Sequence, residues 1–356
     1  MTGTVLEEVE GVLRCSEHDL ADLRAFQAQM YGSGSRLLDQ ERADWLFSRH
    51  PFRRSDEPTV WICRRGGKVV GTEAGIPFDL VVGDAHYRGS WAVELVVDPE
   101  WRGHGVGAAL SEAHRDSCQV SGFLNVSPSG HRLLVRRRSS DIGHIPMYLR
   151  LVDTKRVLRW EGVPRAVRLL VLPLVAPGLR LLDTAGGIRN GRTELVPVDA
   201  FDERSDTLWQ NVSRLYPAIS RRDATWLRWR FDECPDRHQY LRYYVRHRGR
   251  LIGYLVLRRT EWNGCAALSI VDYLAAPGDV SRLLAAGVRI ARQLDAAVLL
   301  CNTLNQRARG ALRLSGFFRR RNQSIRFFAY TGDESLLRDI QDPTKWFVTS
   351  ADSDLD

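Results

Sequence analysis

Glu94-Leu95-Val96-Val97-Asp98-Pro99-Glu100-Trp101-Arg102-Gly103-His104-Gly105-Val106-Gly107-Ala108-Ala109-Leu110 reads as a strand, a glycine-rich turn and the first turns of a helix. The apolar, β-rich run from Trp91 to Val97 ends at Asp98-Pro99, where proline withdraws a donor from any sheet ladder. Beyond the turn, Val106, Leu110, Ala113 and Ser117 recur at helical spacing and predict one buried stripe. Glycines at 103, 105 and 107 let backbone N–H groups face a ligand at a helix start without interference from a Cβ. The natural guest of such a cradle is a phosphate or pyrophosphate.

Three ligand readings compete for this stretch. Gly103-x-Gly105-x-x-Ala108 satisfies the dinucleotide fingerprint, but that fingerprint wants an acidic residue about 20 positions on, at the end of a second strand. Here the next strand, Phe123 to Val126, ends around Asn125 and Ser127. A Walker loop is excluded because no Lys-Ser/Thr follows the glycines. The third reading uses Arg102-x-x-Gly105-x-Gly107, which resembles the pyrophosphate-binding motif of the GNAT superfamily of acyl-CoA N-acyltransferases. The surroundings carry the same resemblance: a strand ending Val97-Asp98-Pro99, an aromatic before the arginine, and a small-residue helix behind. A glycine turn with no ligand is the plain structural alternative.

A chain of 356 residues suggests two domains, each large enough to bury a core. The hydrophobic fraction of 44% with 26% charged residues is that of a globular protein. Cys15, Cys63, Cys118, Cys234, Cys265 and Cys301 are scattered without a C-x-x-C pair, so neither a zinc site nor a disulfide framework is expected. No metal is expected elsewhere. The net charge of +8, carried almost wholly by arginine, favours anionic partners such as CoA phosphates. No nucleic-acid motif accompanies it, so nucleic acid is not an expected partner. No signal-peptide pattern opens the chain, and a cytoplasmic location is expected.

In chain order, residues 4 to 15 supply a first strand, Asp19-Leu20 opens a helix, and a second helix covers roughly Asp39 to Arg49. Val60 to Cys63 and Val69 to Ile76 form a hairpin around Arg65-Gly66-Gly67-Lys68, and a separate strand, Phe78 to Val82, precedes the central strand. Leu169-Leu170-Val171-Leu172-Pro173-Leu174-Val175-Ala176-Pro177 is apolar but falls short of the ~20 residues a bilayer span needs. Interdomain packing is the reading taken, with a membrane-surface contact as the alternative. Thr184 to Gly191 closes it as a loop.

After residue 195 the first half recurs at an offset of about 180 residues. Ala43-Asp44-Trp45-Leu46 returns as Ala224-Thr225-Trp226-Leu227, and Gly67-Lys68-Val69-Val70-Gly71 as Gly249-Arg250-Leu251-Ile252-Gly253. Val93-Glu94-Leu95 with Pro99 returns as Val271-Asp272-Tyr273 with Pro277, and Asn125 as Asn302. The second copy lacks the arginine-glycine cradle and begins its helix with Asp279, a good N-cap and a poor neighbour for phosphate. It retains Asn305-x-x-Ala308, Leu312 and Ser315-Gly316-Phe317-Phe318, which resemble the N-x-x-A…L…GF segment of GNAT domains.

The resemblance implies an α/β (α+β) fold of two tandem GNAT-like domains, each a central mixed sheet flanked by helices. The boundaries expected are a GNAT domain with the pyrophosphate motif over 1–160, a linker or packing segment over 161–194, a degenerate GNAT-like domain over 195–335, and an acidic, solvated C-terminal tail over 336–356. It implies acetyl-CoA or another acyl-CoA as cosubstrate, held by Leu95, Val96, Val97, Arg102, Gly103, His104, Gly105, Val106, Gly107, Ala108 and Asn125. A backbone N–H of Leu95 to Val97 would polarise the thioester carbonyl.

A primary amine of a small metabolite, amino sugar or natural-product precursor would attack the thioester directly. Glu94, a carboxylate inside an apolar strand, is the candidate general base, with a structural acceptor as the alternative because Asp272 stands at its counterpart. Tyr148 and His131 are the candidates for general acid, with a structural role as the alternative for each. Asn125 is open to a strand-capping role as well. Two rivals stay open: an aminoacyl-tRNA-dependent transferase like the FemX group, and a non-catalytic binding protein of the same fold. A homodimer is allowed.

Overall fold

The computed structural model describes residues 11–32, 34–160, 165, 170, 173, 177–179, 181–184 and 191–354. The expected strand residues 4 to 10 lie outside them, as do most of Leu169–Pro177 and of the Thr184–Gly191 loop. The elements in chain order are β1 (Gly11–Arg14), α1 (Leu20–Tyr31), α2 (Gln40–Ala43), β2 (Val60–Arg65), β3 (Lys68–Val82), β4 (Ala85–Val97), α3 (Val106–Asp116), β5 (Val120–Leu124), α4 (Pro128–Arg136) and β6 (Ser140–Leu151). There follow α5 (Thr154–Trp160), β7 (Thr193–Pro197), α6 (Glu203–Val212), β8 (Ala218–Ser220), α7 (Ala224–Leu227), β9 (Tyr240–His247), β10 (Arg250–Trp262) and β11 (Cys265–Ala275). The chain continues through α8 (Val280–Gln293), β12 (Val298–Asn305), α9 (Arg309–Leu314), β13 (Phe318–Tyr330), α10 (Glu334–Ile340) and β14 (Trp346–Thr349).

The chain divides into two compact units. The first holds residues 1–80, 86–142 and 327–341; the second holds 81–85, 143–326 and 342–356. In the first, the strand order is β1-β2-β3-β4-β5 followed by the end of β13, whose Phe327–Tyr330 run antiparallel to Leu124–Ser121. Trp61, Cys63, Val70, Val106 and Leu110 bury the stripe of α3 against this sheet. In the second, the order is β6-β12-β11-β10-β9-β7, and Val298–Asn302 of β12 pair antiparallel with Leu151–Met147. Leu149, Val157, Trp262, Ala267 and Val298 share one of its cores.

These units depart from the boundaries read from the sequence because each sheet takes a strand from the other half of the chain. The hairpin is as expected, but the separate strand at Phe78 is not: Lys68–Val82 is one strand of 15 residues running through Pro77. The pairing of β2 with β3 ends at Ala74, so Pro77 deprives β2 of no ladder bond. The second helix begins as expected and widens into π-helical turns at Asp44–Ser48, burying Trp45, Leu46 and Phe47 in succession. The same device recurs at Arg228–Asp232 after α7.

The acidic, solvated tail is also corrected. Glu334–Ile340 is a helix, Trp346–Thr349 is a buried strand, and Asp352 is buried against Arg222. The apolar Trp346-Phe347-Val348 outweighs the aspartates that follow it. Among the described residues no helix is long and apolar enough to cross a membrane.

Candidate active site

The central strand β4 and its parallel neighbour β5 pair from Gly89↔Val120 to Ala92↔Phe123 and then part. Two residues past that last pair, at matching register, Glu94 (φ 56°) and Asn125 (φ 52°) both adopt left-handed backbone. For a residue such as glutamate that conformation costs about 1–2 kcal/mol, and here it turns the two strands away from each other. Among the described residues, no third strand pairs with β4 or β5 in the opening so made.

The cradle stands at the end of β4. Gly103 (φ 86°) and Gly105 (φ 85°) are left-handed, and a Cβ on either would meet nothing within 4 Å. Gly105 is the N-cap of α3, so the N–H groups of Val106, Gly107 and Ala108 precede the first intrahelical donors. Arg102 is exposed, and its Nε donates to the Val97 carbonyl at 3.1 Å. Gly103, His104 and Gly105 are exposed, Val106 is buried, and Gly107 and Ala108 are half-buried. Leu95 is exposed, with Val96 and Val97 half-buried. The fold therefore gathers Glu94 to Val97, Arg102 to Ala108 and Asn125 around one end of one strand pair. Tyr148 belongs to the second unit, where it is buried in β6 opposite Cys301.

Glu94 is not isolated. Arg42 Nη1 donates to its Oε1 at 3.0 Å, with the two side chains only 10% and 4% exposed. The Tyr31 hydroxyl lies 3.5 Å from the Glu94 carbonyl, and burial followed by the Glu94 charge holds that hydroxyl well above the ordinary phenol range. Sequence reading missed both partners. Arg42 had a signal: it stands three residues before Trp45, near the place that Arg222 takes four residues before Trp226, and Arg222 pairs with Asp272 in the second unit. Asp279 is corrected as a cap, since its carboxylate makes no capping bond and instead pairs with Arg282 at 2.6 Å.

Behind the cradle helix lies a buried polar cluster. His114 Nε2 meets the Ser90 hydroxyl at 2.9 Å and its ring packs edge-on to Trp61, while Glu73 has a carboxyl oxygen with no hydrogen-bond partner among the described residues. Burial pushes the Glu73 carboxyl up to about 8, moderated by Arg115, and pushes His114 down to about 3, again with Arg115 acting alongside.

A carboxyl whose folded pKa is raised contributes stability fully below its unfolded value of 4.5 and loses it as pH climbs toward 8. His114 works in the opposite sense, its contribution present above 6.5 and lost toward 3. Urea unfolding of wild type between pH 6.5 and 8 is expected to lose up to about 1.4 kcal/mol per pH unit. Glu73→Gln is expected to flatten that slope, and parallel curves for the two proteins would remove Glu73 as its source.

Comparison with known proteins agrees with this geometry. Residues 56–151 match the acetyltransferase (GNAT) domain family. No curated protein matches the chain in sequence. Among solved structures, the chain is similar to a GCN5-related N-acetyltransferase from Anabaena variabilis, at 14% identity and a TM-score of 0.60, covering 90% of this chain and 72% of that one. A GCN5-related N-acetyltransferase from Kribbella flavida is similar at 16% identity and a TM-score of 0.60, with 90% and 70% covered. The Saccharomyces cerevisiae N-myristoyltransferase with bound myristoyl-CoA follows at 11% identity and a TM-score of 0.54, with 92% and 85% covered. The chain thus has a mixed α/β fold of the GNAT type, and its residues 56–151 match the GNAT acetyltransferase domain family.

Proposed function

We propose that the protein is an acyl-CoA N-acyltransferase of two tandem GNAT-like halves, that its first unit holds acetyl-CoA, and that a primary amine of a small metabolite, amino sugar or natural-product precursor attacks the thioester directly. One observation carries this reading: β4 leaves β5 at Glu94 and runs straight into a cradle of left-handed glycines at a helix start. In it the N–H groups of Gly105 to Ala108 and the Arg102 guanidinium bind the pyrophosphate, helped by His104. Gly103 lets the backbone approach. The backbone of Leu95 to Val97 lies along the acyl-bearing arm and offers a fixed N–H to the thioester oxygen, while Asn125 faces the arm from β5. The recurrence of helix, π-turn, three antiparallel strands, helix and parallel strand in both units supports the tandem reading. The cytoplasm, where acyl-CoA is available, is the proposed location.

Glu94 takes the amine proton in this proposal; Tyr148, the general acid expected from the sequence, lies in the second unit and is tested separately by Tyr148→Phe. The second reading of Glu94 is favoured by a specific observation, since Arg42–Glu94 is repeated as Arg222–Asp272 in the half without a cradle. Glu94→Gln separates the two. As base, its loss lowers kcat at least about 100-fold and removes the acidic limb of the pH profile. A normal rate and profile, with reduced thermal stability, assigns Glu94 to structure.

The acceptor and acyl group are tested by release of free CoA thiol from acetyl-CoA and longer acyl-CoAs across an amine panel. Calorimetric binding of aminoacyl-tRNA in place of CoA would favour the FemX-like rival. CoA binding without turnover of any amine would favour the non-catalytic one.

A further inference from the structure

We infer that the second unit's counterpart of the acyl-CoA opening is closed by the chain's own C-terminal strand, so that each chain takes a single acyl-CoA. The stoichiometry rests on the reading of the first opening proposed above. In the second unit, β11 and β12 pair in parallel from Ala267↔Val298 to Ile270↔Cys301 and then part, as β4 and β5 do. There the resemblance ends. From Thr303 to Asn305, β12 pairs antiparallel with Thr349 to Phe347 of β14.

The inserted strand is bonded to both diverging strands. The Thr349 hydroxyl donates to Asp272 of β11 at 2.7 Å, and the Thr303 hydroxyl of β12 donates to the Val348 carbonyl at 3.0 Å. Phe347 packs on Tyr273, with ring centroids 5.4 Å apart, and on Tyr216 at 4.7 Å. The Asn305 side chain at the end of β12 is spent on the Tyr273 hydroxyl at 3.1 Å and the Arg307 N–H at 3.1 Å. All four residues of β14 are buried.

A pantetheine arm has the chemistry of a short strand: amide donors and acceptors along an apolar thread. Here β14 supplies both in cis, and a tethered strand competes at an effective concentration of about millimolar. The start of α8 adds a second, independent obstacle, for it carries the Asp279 carboxylate instead of a left-handed glycine cradle. Loading a second acyl-CoA would need β14 withdrawn from a fully buried position and a phosphate placed beside an aspartate.

Two measurements on the full chain test this. Calorimetry with CoA is expected to give one site per chain, lost in Gly105→Trp. Two sites, or one site that survives Gly105→Trp, overturns the inference and leaves acyl-CoA binding as such intact. Hydrogen exchange at 346–349 is expected to be as slow as in β12 and unchanged by saturating CoA. Fast exchange there, or deprotection on adding CoA, overturns it. If CoA does not bind at all, the reading of the first opening fails, and the exchange result alone decides whether β14 seals the second.

Discussion

Gly105→Trp is expected to raise the Kd for CoA by at least about 100-fold, equivalent to about 2.7 kcal/mol. Gly105 sits at φ 85° with nothing within 4 Å of where its Cβ would be, so the side chain starts into open space on the side proposed for the pyrophosphate. Left-handed strain adds about 1–2 kcal/mol of instability at most. Gly83→Ala is the control, since Gly83 has φ 62° and equally open surroundings but lies in the turn before β4, outside the cradle. The control is expected to share the stability loss and to bind CoA normally. Unchanged CoA affinity in Gly105→Trp removes the cradle from the function.

Arg222→Met is expected to destabilise the second unit by about 3–5 kcal/mol, read as the loss or early onset of its urea transition. Arg222, Asp272 and Asp352 are all wholly buried. Burial works against the guanidinium charge, but Asp352 and Asp272 outweigh it and hold Arg222 firmly charged. Asp272 also accepts from Tyr254 at 2.6 Å and from Thr349, and removing the arginine leaves two fully buried carboxylates without their counter-charge. Arg42→Met is expected to cost less, because that pair is slightly exposed. An unchanged transition in Arg222→Met would mean that the network contributes nothing net to stability.

The local chemistry of the first unit was legible because it is written in backbone constraints. Glycines at 103 and 105, a proline after the strand and a small-residue helix each fix a conformation irrespective of distant contacts. The repeat was legible through Trp45 and Trp226, both buried, although Trp45 lies in the π-helical turn and Trp226 in the helix just before the second such turn. What sequence could not reveal depends on partners far along the chain. Asp352 belongs by composition to an acidic tail, and the charge that makes its burial favourable is that of Arg222, 130 residues earlier. Tyr31 lies 63 residues before the Glu94 carbonyl it approaches, with no periodicity linking them. Glu94 shows both cases: its place on the central strand was readable, and its left-handed backbone and arginine partner were not.

The exchange of strands sets an order on how the chain is made. Residues 327–341 belong to the first unit, and the end of β13 completes its sheet beside β5. A chain leaving the ribosome from its amino end has nearly all of the second unit outside before the first can finish. Until then β5 presents an unpaired edge, and a chain that stops near residue 160 keeps it. The half that carries the cradle is synthesised first and completed last.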